Sequence, residues 1–148
     1  MAAELSARLA AVVDALPLAP GCRVLEVGCG PGAVARAVAR RLEGGFVLAI
    51  DRSGAAIAQA RRTCAAEIAE GLMDVRQVAV ESFVLQPGEA PFDLVVAVRV
   101  GALDGRHPAA GEVAVRRLAA ALAVGGRVFV DGGDPLRELQ VRSTARPR

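Results

Sequence analysis

Short, almost wholly apolar runs alternate along the chain with longer segments whose apolar residues recur every three or four positions. The runs are RVLEV (Arg23 to Val27), FVLAI (Phe46 to Ile50), VRQVAV (Val75 to Val80), FDLVVAV (Phe92 to Val98) and RVFV (Arg127 to Val130). Runs this short, bounded by glycine, proline or acidic residues, predict buried strands. Between them lie helical patterns. Leu5, Leu9, Val12, Val13 and Leu16 share one face of a helix over 4–16 that Pro17, Pro20 and Gly21 end. Ala33 to Leu42 stops at Gly44-Gly45, Ser53 is a plausible cap for a helix to about Glu70, and residues 112–123 form another. Pro135 to Val141 reads as a last short helix and residues 142–148 as a frayed basic tail.

Strands alternating with helices predict a parallel sheet covered on both faces, a doubly wound α/β domain of about five strands in the order 3-2-1-4-5. At 148 residues the whole chain, 1–148, reads as one domain, with an N-terminal helix within 1–18. Ligands in such sheets bind beyond the carboxyl ends of the strands, so the residues there matter most.

Those ends carry glycines and acids. VLEVGCGPG (Val24 to Gly32) ends its strand in three alternating glycines, Gly28, Gly30 and Gly32, before a helix. Bare backbone there lets a ligand approach closely and leaves helix N–H groups free to meet it. Glu26 sits at the penultimate position of that strand, a costly place for a carboxylate unless it is partnered. Asp51 ends the second strand, where a carboxylate accepts hydrogen bonds from ribose hydroxyls. Glu81 ends the third in the same way.

With these residues in order, the chain resembles the class I S-adenosylmethionine-dependent methyltransferases from about residue 20 to about residue 134. LEVGCGPG is similar to the first motif, E/D-x-G-x-G-x-G, AID (Ala49 to Asp51) to the second and AVES (Ala79 to Ser82) to the third. FDLVVAV is similar to the fourth-strand motif, and RLAAALAVGGRVFV to the segment that leads into strand five. Two departures stand out: Glu81-Ser82 replaces the commoner Asp-Ala, and Val124 replaces a proline.

The resemblance implies a Rossmann-like fold, S-adenosyl-L-methionine as cofactor, and roles for particular residues. Gly28, Gly30 and Gly32, with Val27 and Cys29 among them, line the methionine and ribose part. Glu26 orders that turn or contacts the amino group. Asp51 binds the ribose with Arg52 beside the adenine, and Glu81 or Ser82 approaches the adenine edge. Ala97 and Arg99 face the methyl group and substrate. It also implies a terminal strand hairpin for which fewer than twenty residues remain after Asp131, so the hairpin is expected to be missing. Strand five is then an edge that Pro135 to Val141 or a second copy, as a homodimer, would cover.

Chemistry beyond the cofactor is less legible. His107, the only histidine, lies on the loop after strand four, where it either serves as a base or simply precedes the next helix with Pro108. Arg99 either binds an acidic substrate group or pairs with Asp104. No NPPY or DPPY follows strand four and no Pro-Cys nucleophile is present, which by elimination leaves O- or N-methyl transfer to a small molecule. A noncatalytic cofactor-binding accessory protein is the second reading. An NAD(P)-binding domain is a third, disfavoured by the position of Glu26 and by the single five-strand unit.

Composition narrows the setting. All 18 basic residues are arginine and they are dispersed, so the net charge of +2 marks no nucleic-acid surface. Three cysteines without a C-x-x-C make a disulfide framework or metal site an unexpected reading. No apolar stretch is long enough to span a bilayer, and Glu4, Arg8 and Asp14 interrupt the N-terminal segment, so a cytoplasmic protein is expected.

Overall fold

A computed structural model describes residues 5–146. Six strands form one sheet: β1 (Arg23–Val27), β2 (Phe46–Asp51), β3 (Met73–Gln77), β4 (Phe92–Ala97), β5 (Leu122–Asp131) and β6 (Leu136–Leu139). Their spatial order is β3-β2-β1-β4-β5-β6, parallel throughout except for β6, which runs antiparallel to β5. The helices are α1 (Ala7–Ala15), α2 (Ala33–Arg41), α3 (Gly54–Thr63), α4 (Ala65–Ala69) and α5 (Pro108–Ala121).

The pleat sorts each strand between two cores. Val24, Val47, Ala49, Leu94 and Val96 pack with Val12 and Val13 of α1, Val38 of α2 and Ile57 of α3. Leu25, Leu48, Ile50, Val95 and Val128 pack on the opposite face with Leu118 of α5 and with Phe83. Helices therefore cover both faces, as the apolar runs predict. With few aromatic residues, closeness comes from alanine: Ala35, Ala49, Ala60 and Ala114 are fully buried.

Several elements differ from their sequence expectation. Pro135 to Val141 is not a helix but carries β6, and its register runs from Val128↔Leu139 to Asp131↔Leu136. Strand five is accordingly not the sheet's edge, and the expected homodimer through that edge loses its basis, because β6 fills it. The third strand lies earlier than expected. Met73 and Val75 are its buried positions, and the chain then leaves the sheet for a 3-10 turn over Val80–Ser82, so Glu81 sits on that turn rather than at the strand end. The helix expected to run to Glu70 breaks at Cys64, and α4 beyond it buries Glu67 against the guanidinium groups of Arg36 and Arg40 of α2. Strand five starts at Leu122 rather than Arg127, with a bulge that lets Gly125-Gly126 pass inside it. The tail is tied down as far as Thr144: the Ser143 hydroxyl donates to the Leu122 carbonyl at 2.6 Å and the Thr144 N–H to that of Ala119 at 3.0 Å. Glu4 and residues 147–148 lie outside the described residues.

Candidate active site

The glycine turn is held by the strand beside it. The Gly28 and Cys29 N–H groups both donate to the Ile50 carbonyl, at 2.8 and 3.0 Å, which fastens the end of β1 to the end of β2. One residue further along β2, Asp51 accepts from the Gly30 N–H through Oδ2 and from the Ser53 N–H through Oδ1, each at 2.9 Å. Asp51 thus joins the turn after β1 to the start of α3. Ser53 caps that helix by accepting from the Ala56 N–H. Every carboxylate oxygen has more than one acceptor position, so Asp51 keeps acceptor capacity after holding both N–H groups.

On the other side of the turn, Gly32 is the residue before α2 and has φ of +90°, with no side chain to cap the helix. Glu26 supplies the missing cap from the neighbouring strand: its Oε1 accepts from the Ala35 N–H at 3.1 Å. The sequence position that looked costly for a carboxylate is thereby explained. Burial pushes the Glu26 pKa up from 4.5 to about 8, opposed by the Ala35 N–H and reinforced by the nearby Asp51 charge.

A raised acid pKa means the folded protein retains a proton that the unfolded chain releases. Stability from this group is therefore greatest below about pH 4.5 and falls as the pH climbs to about 8. Glu26→Gln keeps an acceptor for Ala35 and removes the titration. Urea midpoints measured from pH 4.5 to 8 are expected to fall less steeply in the variant than in the parent. Parallel profiles would refute the assignment.

Two cavities open on this rim. The first, about 450 Å³, is bordered by Val27, Gly28, Asp51, Arg52, Glu81 and His107 among others. The second, about 550 Å³, is bordered by Glu26, Gly28, Cys29, Gly30, Arg8 and Leu9 among others. Gly28 and Arg99 border both, so the two adjoin across the glycine turn. Of the residues expected to form the site, Gly32, Ser82 and Ala97 line neither cavity: Gly32 turns the chain into α2, Ser82 is exposed, and Ala97 is buried in the sheet. Cys29 and Cys64 are both buried, and burial pushes the Cys29 thiol up to about 12 and that of Cys64 up to about 11.

Further along the same rim, past β4 and β5, the border of the cavities carries arginines. Arg99, just past β4, has φ of +57°, the one non-glycine residue in the left-handed region among the described residues. That conformation costs a side-chain-bearing residue about 1–2 kcal/mol. Its N–H donates to Asp131 Oδ1 at 3.0 Å and its carbonyl accepts from Arg106 Nη2 at 3.3 Å. Asp131 Oδ2 also meets Arg8 of α1 at 3.4 Å. Asp104 pairs with Arg106 at 2.7 Å, not with Arg99. His107 directly precedes α5, its ring lying against Gly101 and its N–H donating to the Gly101 carbonyl at 3.3 Å. Arg8 and Asp131 escaped the sequence reading because their contact joins segments far apart in the chain, and Arg106 because no pattern in its loop marks it. Only the position of Asp131 at a strand end hinted at a role.

The rim fits a nucleoside with an amino-acid tail. At Gly30, with φ of +52°, nothing lies within 4 Å of where a Cβ would stand, which leaves backbone bare beside the second cavity. Asp51 places a carboxylate with remaining acceptor positions at the first. Glu26 and Asp51 flank the glycine turn on its two sides, one at each cavity.

Known proteins agree with this architecture. Residues 24–126 match a family model described as a methyltransferase domain. Over 137 residues, 93% of this chain and 45% of its relative, the sequence is 34% identical to a trans-aconitate 2-methyltransferase of Delftia acidovorans. It is 35% identical over 138 residues to a protein-L-isoaspartate O-methyltransferase of Methylorubrum populi, covering 93% of this chain and 58% of that one. The chain spans about half the length of the curated relatives it matches. Among solved structures, an S-adenosylmethionine-dependent methyltransferase from Thiobacillus denitrificans in complex with S-adenosyl-L-homocysteine superposes with a TM-score of 0.65 at 26% identity, covering 85% of this chain and 48% of that one. The matched family model spans the glycine turn, Asp51 and strands β1 to β4, and the chain accordingly belongs to the class I S-adenosylmethionine-dependent methyltransferases.

Proposed function

We propose that the protein transfers a methyl group from S-adenosyl-L-methionine to a small-molecule acceptor, at oxygen or nitrogen. The hydrogen bond from the Gly30 N–H to Asp51 carries this reading, since it sets a ribose-binding carboxylate and bare backbone side by side at one sheet rim. In this reading Asp51 and Arg52 hold the adenosine at the first cavity with Glu81 across from them. Gly28, Cys29 and Gly30 hold the methionine portion, and Glu26 keeps their turn in place through α2 rather than touching the ligand's amino group. Val27 borders the first cavity from the strand end. The bound cofactor supplies an electrophilic methyl carbon whose bond to sulfur breaks as the acceptor's lone pair attacks it.

The protein's own part is positioning. Fixed backbone donors and a fixed carboxylate hold one reactant in place, and alignment of two reactants is worth several orders of magnitude in rate. Among the described residues no helix is long and apolar enough to cross a membrane. Calorimetric titration with S-adenosylhomocysteine tests the reading: saturable binding of one equivalent is expected, and no heat at millimolar ligand would overturn it.

A further inference from the structure

We infer that the acceptor is a small polycarboxylate recognised by Arg99, a specificity that rests on the methyltransferase reading above. A left-handed backbone conformation is one that glycine adopts freely, and ten glycines of this chain do so. An arginine holds it instead at the one residue beyond β4 that borders both cavities. Strain tolerated at such a position points to a side chain that is needed there. The strain is also held in place from both directions, by Asp131 on the Arg99 N–H and by Arg106 on its carbonyl.

Charge at this rim points the same way. Arg8, Arg99 and Arg106 gather around two carboxylates, Asp131 and Asp104. Arg8 pairs with Asp131 and Arg106 with Asp104, whereas the Arg99 guanidinium has no carboxylate within 4.0 Å among the described residues. That leaves the Arg99 guanidinium open to a ligand, and its planar fork suits a carboxylate better than a neutral hydroxyl or amine.

The chemistry is consistent with that choice. A carboxylate is already an anion at neutral pH. Its oxygen forms the new bond to the methyl carbon while the carbon–sulfur pair returns to sulfur, giving a neutral ester and a neutral thioether with no proton to remove. No general base is required, in keeping with a rim whose one imidazole, that of His107, lies against Gly101.

Tricarballylate and its neutral triamide are the probes. They are titrated into the protein with and without S-adenosylhomocysteine, and polycarboxylate-dependent formation of S-adenosylhomocysteine from the methyl donor is followed separately. Tricarballylate is expected to bind and the triamide not to bind. Arg99→Gly, which keeps the backbone conformation and removes the guanidinium, should weaken tricarballylate ten- to hundredfold while S-adenosylhomocysteine affinity stays within about twofold. Arg99→Lys should fall between. Equal binding of the triamide, no tricarballylate binding, or an unchanged affinity in Arg99→Gly would each overturn the inference. Loss of the methyltransferase reading alone would show itself differently, as tricarballylate binding by a protein that ignores S-adenosylhomocysteine.

Discussion

Asp51→Ala is expected to weaken S-adenosylhomocysteine binding by ~10²–10³-fold. The carboxylate has two tasks at once. In the proposed reading it offers charge-assisted acceptors to the ribose, each worth about 1.5–3 kcal/mol. It also fixes the Gly30 N–H and the Ser53 N–H, so its removal loosens the turn that lines the second cavity. A loss of about 3–4 kcal/mol corresponds to the stated range at 1.4 kcal/mol per tenfold. Asp51→Asn keeps one acceptor oxygen and turns the other position into a donor facing an N–H group, so it should bind better than the alanine variant and worse than the parent. Calorimetry on all three proteins checks the order. Binding by Asp51→Ala within threefold of the parent would remove Asp51 from the ligand site.

Gly32→Ala should cost about 2–5 kcal/mol of stability. Two causes add. At φ of +90° a Cβ is strained wherever it points, by about 1–2 kcal/mol. It would also lie 2.8 Å from Cys64 Sγ, a fully buried atom with little room to move, and overpacking of this kind adds about 1–3 kcal/mol. A double-mutant cycle separates the two. In a Cys64→Ala background the steric part should disappear and the backbone part remain, giving a coupling of about 1–3 kcal/mol in urea unfolding. Strict additivity would show that Cys64 and the added methyl never meet.

The strands of this protein were legible because burial on both faces of a parallel sheet leaves little choice but apolar residues, as in Val47 to Ile50. Gly28, Gly30 and Asp51 were legible for a different reason: a turn that must leave backbone bare and a strand-end acid are rare outside a binding rim. The β6 segment misled. Leu136, Arg137, Glu138 and Leu139 are good helix formers with apolar residues three apart, yet pairing with Val128 to Asp131 and the Arg127–Glu138 ion pair at 2.6 Å favour the extended form. The break at Cys64 had no signal at all, since neither glycine nor proline marks it. Arg8 meets Asp131 across most of the chain, and a contact of that span is decided by topology rather than by any local pattern.

Separate anchorage along one sheet rim has a mutational corollary. Asp51 and Glu26 fasten the glycine turn through β1, β2 and α2, whereas Asp131 fastens the arginine side through β5 and α1. Mutational drift on one side need not propagate to the other. Changes at Arg8 or Asp131 therefore leave the hydrogen bonds of the glycine turn intact.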